Sequence, residues 1–194
     1  PRICRAAAPV AVPPMRSAAL IAVDWGTTHA RAYRLDDAGS VLGVRAGPLG
    51  INKLGDLAYP DALARLLGDW VDVPVPRIAC GMVGSRQGWR EAPYVDCPAS
   101  LAALSRGLVE TGPGGIAIVP GLATRDAAGV PDVMRGEETQ ILGAVPADSP
   151  RMLVVLPGTH SKWASVERGV VRDFATCMPG ELHEALVRHT ILGR

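Results

Sequence analysis

The chain is 194 residues long, 48% apolar and 20% charged, and its 20 basic and 19 acidic residues leave a formal net charge of +1. That length holds one large domain or one and a half smaller ones around a packed core. The charge balance argues against a nucleic-acid binder or a polybasic membrane anchor, and no apolar run reaches the length of a bilayer span.

Residues 1–14, within an N-terminal stretch of 1–17, lack an initiator Met and a signal-peptide core. They are expected to be a disordered or artefactual extension, with Met15 as the natural start. Cys4, Cys80, Cys97 and Cys177 are scattered, with no C-x-x-C pair. A zinc site or disulfide framework is not expected, and a reducing cytoplasm is the default compartment. Only Lys53 and Lys162 of the basic residues are lysine, which fits a GC-rich coding bias together with abundant Ala, Gly and Pro.

An apolar strand over 18–23 ends in Asp24 and runs through Trp25-Gly26-Thr27-Thr28 into a returning strand that reaches Leu35. Ser40 to Arg45 reads as a third antiparallel strand. Gly47 to Gly55 is a glycine-rich loop carrying Asn52 and Lys53. Leu63, Leu66, Leu67 and Trp70 have helical spacing within Tyr59–Trp70. Pro74 to Cys80 is a short buried strand that opens into the loop Gly81–Trp89. Ser100 to Val109 is predicted helical, Gly115–Gly121 a fifth strand, and Met134–Ala144 a third helix opening on Gly136-Glu137-Glu138-Thr139. A crossover follows over Pro146–Pro150. Met152–Leu156 is another apolar strand. It enters Pro157-Gly158-Thr159-His160-Ser161-Lys162, then two more strands separated by Gly169, then a helix over Leu182–His189. The order is α/β with a mixed sheet, because the first three strands are joined too tightly to be parallel.

The two strand–turn–strand units share a chemistry. Backbone N–H groups in a Gly-Thr turn, with hydroxyls beside them, can cradle phosphate oxygens. A carboxylate at a strand end can hold Mg²⁺ through its waters. Two such units suggest a duplicated fold with a nucleotide between the halves. A Walker-type loop is excluded: G-x-x-x-x-G-K-[ST] is absent, and a strand rather than a helix follows Lys162. His183-Glu184 begins H-E-x-x-H, but position 187 is Val, and Gly84-Ser85 does not make a G-x-S-x-G elbow.

The order of elements and the Asp24–Thr28 hairpin resemble the sugar-kinase/heat-shock-70/actin superfamily of two-domain ATPases. Val23–Thr28, Ala79–Trp89, Glu91–Val95, Val133–Gln140 and Leu156–Trp163, in that order, resemble the 2-dehydro-3-deoxygalactonokinases from about Ala18 to Arg194. The resemblance implies an actin-like (ribonuclease H-like) ATPase domain over 18–148 and the start of a second, similar domain over 149–194. Family members run on for about another half-length, which should complete the second domain and supply the adenosine-binding loop. The implied activity is ATP- and Mg²⁺-dependent phosphorylation of the 6-hydroxyl of 2-dehydro-3-deoxy-D-galactonate, in galactonate catabolism. The alternatives are a kinase for a related sugar acid and a non-catalytic nucleotide-binding regulator. The expected partner is the small sugar acid, without nucleic acid or membrane, and a homodimer is open.

In that frame Asp24 would hold Mg²⁺ through water, with Gly26, Thr27 and Thr28 around the phosphates. Gly158, Thr159, His160, Ser161 and Lys162 would form the second phosphate loop, with Lys162 on the γ-phosphate as a point charge. Related kinases commonly place the catalytic carboxylate at the opening of the helix before that loop. Here Glu137 and Glu138 hold that place, with Glu138 favoured by its offset and Asp132 a weaker candidate. A helix-terminal Glu is also favourable for the dipole alone. The substrate carboxylate calls for an Arg fork. Arg86 is the first choice and Arg135 the second, with Ser85 and Gln87 on hydroxyls, Trp89 as a wall, and Asn52 reaching in. Galacto or gluco configuration stays open.

Overall fold

Alternating apolar residues in the first strand bury Ile21, Val23 and Trp25 on one face and leave the partly exposed Ala22 and Asp24 on the other. The computed structural model of the chain describes residues 17–193, so the expectations for 1–16 lie outside the described residues. Strands β1 (Leu20–Trp25), β2 (Ala30–Leu35) and β3 (Val41–Gly47) form an antiparallel meander. Helix α1 (Tyr59–Leu67) starts with Pro60 in its first turn, buries Ala62, Leu63, Leu66 and Leu67, and ends at Gly68 with φ 52°. It packs against β2 and β3 and delivers β4 (Arg77–Cys80) parallel to β1.

The chain continues through β5 (Tyr94–Asp96), β6 (Ala99–Ser100), α2 (Leu101–Arg106), β7 (Val109–Glu110), β8 (Ala117–Ile118), β9 (Gly121–Arg125), β10 (Pro131–Met134) and α3 (Glu137–Ala144). The first sheet has the order β3-β2-β1-β4-β8-β7, with β4 and β8 running parallel to β1. The fold is α/β with mixed sheets, as the strand order led us to expect.

Two expectations need correction here. The apolar run Gly115–Gly121 is not one strand: β8 joins β4, and after Pro120 the chain turns into β9 in a separate sheet ordered β10-β9-β5. Proline lacks the N–H a central strand would need at that point. The third helix begins at Glu137 rather than Met134, because Pro131–Met134 pairs with β9.

The second strand unit follows as β11 (Met152–Leu156), β12 (Ser161–Glu167), β13 (Val170–Cys177) and helix α4 (Pro179–His189). Its order is β11-β12-β13-β6, so residues 99–100 from the earlier half complete this sheet. One core lies between α1 and the first sheet, centred on Trp25, Leu67 and Ile118. A second core joins Leu104, Leu122, Met134 and Ile141 to Ala164, Val166, Val171 and Phe174, and so crosses the 146–150 connection.

A buried polar chain fastens the two halves. Thr176 donates its N–H to Asp132 Oδ2 and its hydroxyl to Asp132 Oδ1, both at 2.7 Å. Lys162 Nζ donates to Val133 O at 2.7 Å and to Thr176 Oγ1 at 2.6 Å, and lies 3.9 Å from Asp132 Oδ1. Lys162 is 7% exposed. A charge that deep survives only with its partners in place. We expect Asp132→Ala to cost about 2–4 kcal/mol by stranding the Lys162 ammonium and two Thr176 donors. Lys162→Met leaves no buried charge and should cost less. Thermal melts of the two variants measure the order.

Candidate active site

The first turn is built from both sides. Gly26 closes the hairpin by donating to His29 O at 3.0 Å. The carbonyls of Gly26, Thr27 and Thr28 then accept N–H bonds from Ile51 (3.0 Å), Asn52 (2.9 Å) and Gly50 (3.1 Å). Trp25, fully buried, donates Nε1–H to Leu49 O at 2.7 Å and holds the same loop. The turn's carbonyl edge is consumed, while Thr27 and Thr28 stay exposed with their hydroxyls free for an anion. Asp24 sits at the strand end beside Arg31, with Oδ2 to Nη1 at 4.0 Å and its side chain 39% exposed. The Asn52 N–H ties that residue to this first turn.

The second turn has the same form. Gly158 donates to Ser161 Oγ at 3.2 Å, and the Ser161 hydroxyl returns to Gly158 O at 3.3 Å. Ser161 is buried and serves the turn, while Thr159 and His160 are exposed. His160 Nε2 lies 2.5 Å from Glu181 Oε2, and Glu181 N–H reaches Thr159 O at 3.3 Å. Lys162 is buried and gives two of its three donors to Val133 and Thr176, so it does not stand as a free ammonium in this turn. Asp132 accepts from Thr176 on both of its oxygens.

Helix α3 begins where three segments meet. Gly136 (φ 105°) lies so close to Gly81 that a Cβ on it would sit 3.2 Å from Gly81 Cα. Gly81 (φ 93°) in turn presses on Trp25 O, which a Cβ would meet at 2.8 Å. Both glutamates fold back over this start. Glu137 Oε2 accepts Arg135 N–H at 3.1 Å. Glu138 Oε2 accepts Gly136 N–H at 2.6 Å, and its Oε1 accepts the Thr139 hydroxyl at 3.1 Å.

Glu138 is 0% exposed. Burial pushes its carboxyl up to about 7, against the pull of its own N–H, Gly136 N–H and the Thr139 hydroxyl, with Glu137 adding to the rise. Cys80 pairs with Asp24 across the β1–β4 ladder. Its thiol is pushed up to about 12, mainly by burial, with the Asp24 and Glu138 carboxylates contributing. Asp24, Cys80, Glu138 and Thr139 therefore form one neighbourhood.

A cavity of about 420 Å³ opens there, lined among others by Asp24, Arg31, Tyr33, Cys80, Thr139 and Gln140. A larger hollow of about 650 Å³, lined by Leu49, Lys53 and Arg65 among others, contains none of the candidate ligand groups except their neighbour Lys53. Apart from Asp24, sequence reasoning missed the residues lining the smaller cavity. The available signal was that β1 and β4 are parallel and end level at Asp24 and Cys80, and ligand clefts lie at such carboxyl ends.

The Gly81–Trp89 loop is more structural than expected. Trp89 stacks on Tyr59 (5.8 Å, 11°), meets Trp25 edge-on at 6.2 Å, and lines a cavity of about 260 Å³ with Pro60 and Leu63 among others. Tyr59 donates its hydroxyl to Gln87 O at 3.1 Å, which fixes the loop's tip. Arg86 and Gln87 are exposed side chains on that tip. The Ser85 hydroxyl is buried with no partner among the described residues. Arg135 donates Nη2–H to Ala92 O at 2.8 Å and lies over the Tyr94 ring at 4.4 Å. Its Nε and Nη1 are buried without an acceptor among the described residues.

Asp24 fits a water-held Mg²⁺, since it is a single half-exposed carboxylate at a strand end and Mg²⁺ needs only one or two carboxylates beside phosphates. Among the described residues no three His, Cys, Asp or Glu gather as a direct metal cage.

The Glu138 carboxyl makes stability fall with pH. Its proton is held more tightly in the folded chain than in the unfolded one. Its favourable contribution is full below about 4.5 and is lost as pH rises through about 7. The loss is on the order of 3 kcal/mol. We expect Glu138→Gln to flatten the difference in melting temperature between pH 5 and pH 8, and a pH series of melts on both proteins measures it.

Residues 24–194 match the family described as 2-keto-3-deoxy-galactonokinase. The chain is 39% identical over 177 residues to the 2-dehydro-3-deoxygalactonokinase of Escherichia coli (strain K12), covering 91% of this chain and 59% of that protein. It is 43% identical over 176 residues to a Rhizobium meliloti (strain 1021) protein assigned the same activity, covering 88% and 57%. It superposes with a TM-score of 0.80 and 42% identity on the crystal structure of a Sinorhizobium meliloti protein assigned to the 2-dehydro-3-deoxygalactonokinases, covering 90% of this chain and 59% of that one. The chain thus spans just under three fifths of the length of these relatives. It belongs to the 2-keto-3-deoxy-galactonokinase family.

Proposed function

We propose that this chain carries the phosphate-gripping and base-bearing part of a sugar-acid kinase that transfers the γ-phosphoryl group of ATP to the 6-hydroxyl of 2-dehydro-3-deoxy-D-galactonate. The observation that carries this reading is the Glu138 carboxyl, buried at the start of α3 beside the Cys80–Asp24 strand ends and held near neutrality. A general base works best when its pKa lies near the operating pH. Phosphoryl transfer asks little more of the protein than positioning and charge stabilisation.

In this reading the Thr27–Thr28 and Thr159–His160 turns hold phosphate oxygens. Asp24 holds the waters of Mg²⁺, which when bound neutralises charge on the phosphates. Glu138 takes the hydroxyl proton as the sugar oxygen bonds to the γ-phosphorus, and the bond from that phosphorus to the bridging oxygen breaks, releasing ADP. Ser85, Arg86 and Gln87 on the Gly81–Trp89 loop and the under-satisfied guanidinium of Arg135 supply the polar groups for the acid. Asn52 steadies the first turn. A cytoplasmic setting fits an ATP-dependent catabolic step.

The test is ADP release with ATP, Mg²⁺ and the sugar acid or its gluco epimer. Both this chain and a chimera completed with the C-terminal part of the Rhizobium meliloti relative are assayed. We expect kcat/KM to rise with pH through a midpoint near 7, following ionisation of Glu138. Glu138→Gln should lower kcat by about 10²–10⁴-fold, and Glu137→Gln by only a few-fold. The reverse order would move the base to Glu137. ATP binding without transfer to either acid would sink the substrate assignment and favour a nucleotide-binding regulator.

A further inference from the structure

Each of the two hairpin turns is met from outside by a glycine that has no room for a side chain. A Cβ on Gly50 would lie 2.3 Å from Thr28 N and Thr28 C and 2.4 Å from Thr27 C. A Cβ on Gly180 would lie 2.8 Å from Gly158 O and from Thr159 Cα. Neither glycine has a positive φ that would itself require glycine. Close approach is therefore the reason for each, since real Cβ contacts that short do not occur.

The two glycines occupy equivalent places. Gly50 follows β3, the third strand of its unit, and Gly180 follows β13, the third strand of the other. Each belongs to a segment that also hydrogen-bonds its turn. Gly50, Ile51 and Asn52 donate to the carbonyls of the first turn, and Glu181 donates to Thr159 O and pairs with His160. Other described glycines are as tightly placed, but against side chains, strand backbone such as Trp25 O and Met134 O, helix ends or other loops.

We propose that Gly50 and Gly180 are a matched pair of positioning residues, each seating one phosphate-gripping turn by backbone contact. The proposal rests on the kinase reading of the two turns. Neither glycine touches the sugar acid in this arrangement. Displacing either turn should therefore weaken the hold on ATP and leave the acid's binding alone.

The experiment uses the active chimera with Gly50→Ala, Gly180→Ala and, as a control, Gly143→Ala. Gly143 lies in α3 with nothing within 4 Å of a Cβ. The expected result is a KM for ATP raised at least tenfold in the first two, a KM for the sugar acid within twofold of the parent, and no kinetic change in the control. Equal losses for both substrates, or no loss for ATP, would overturn the proposal. If the alanine variants do not fold, Glu181→Ala removes the carboxylate tie on His160 without a clash and keeps the N–H bond to Thr159 O. It should raise the KM for ATP about threefold with the acid's KM unchanged, and an unchanged KM for ATP counts against the proposal. If the parent binds ATP but transfers nothing, the kinase reading fails, and the same comparison is made on the dissociation constant for ATP by calorimetry, where a tenfold weakening upholds the pair and an unchanged value overturns it.

Discussion

Three other segments meet at the run Asp132–Glu138. Its first residues take the Lys162–Thr176 chain from the second strand unit, and Arg135 braces the Gly81–Trp89 loop through Ala92. Gly136 rests on Gly81, which rests on Trp25 at the end of the first strand. Two glycines at positive φ in direct backbone contact allow this stacking, and no side chain could be inserted between them. The start of α3 is thus set by three other elements at once.

That placement explains the chemistry of Glu138. A carboxylate with no solvent exposure ordinarily gives up its charge. Here Gly136 N–H and the Thr139 hydroxyl meet its two oxygens, so the group stops near neutrality rather than far above it. The same N–H groups would be orphans of a helix start if neither glutamate folded back. Capping and acid–base chemistry are therefore not rival accounts of Glu138: burial raises its proton affinity and the capping bonds hold that rise back.

Local pattern made much of the fold legible. Alternation in Leu20–Trp25 and in Ser161–Glu167, the Gly-Thr turns and the helical spacing of Leu63, Leu66 and Leu67 each depend on neighbours a few residues away. The three-stranded sheet of β5, β9 and β10 was not legible, because its strands are short and β5 reaches β9 from far away in sequence. Nor was the return of Ala99–Ser100 to the second unit, since two residues carry no period. Lys162 looked like a phosphate ligand because it follows a glycine-rich turn. Its burial beside Val133 in β10, which lies far away in sequence, was not legible.

The sequence by itself determined the two strand–turn–strand units, the mixed α/β class and the residues that can do phosphate chemistry, because these are properties of contiguous stretches. Only the tertiary structure decided which of those residues are free to act. It buried Lys162 beside Val133 and Thr176, stacked Trp89 on Tyr59, and buried Glu138 beside Asp24 and Cys80. The physical reason is that burial and hydrogen-bond partners are set by contacts between distant segments. A side chain's charge and availability follow from those contacts rather than from its type.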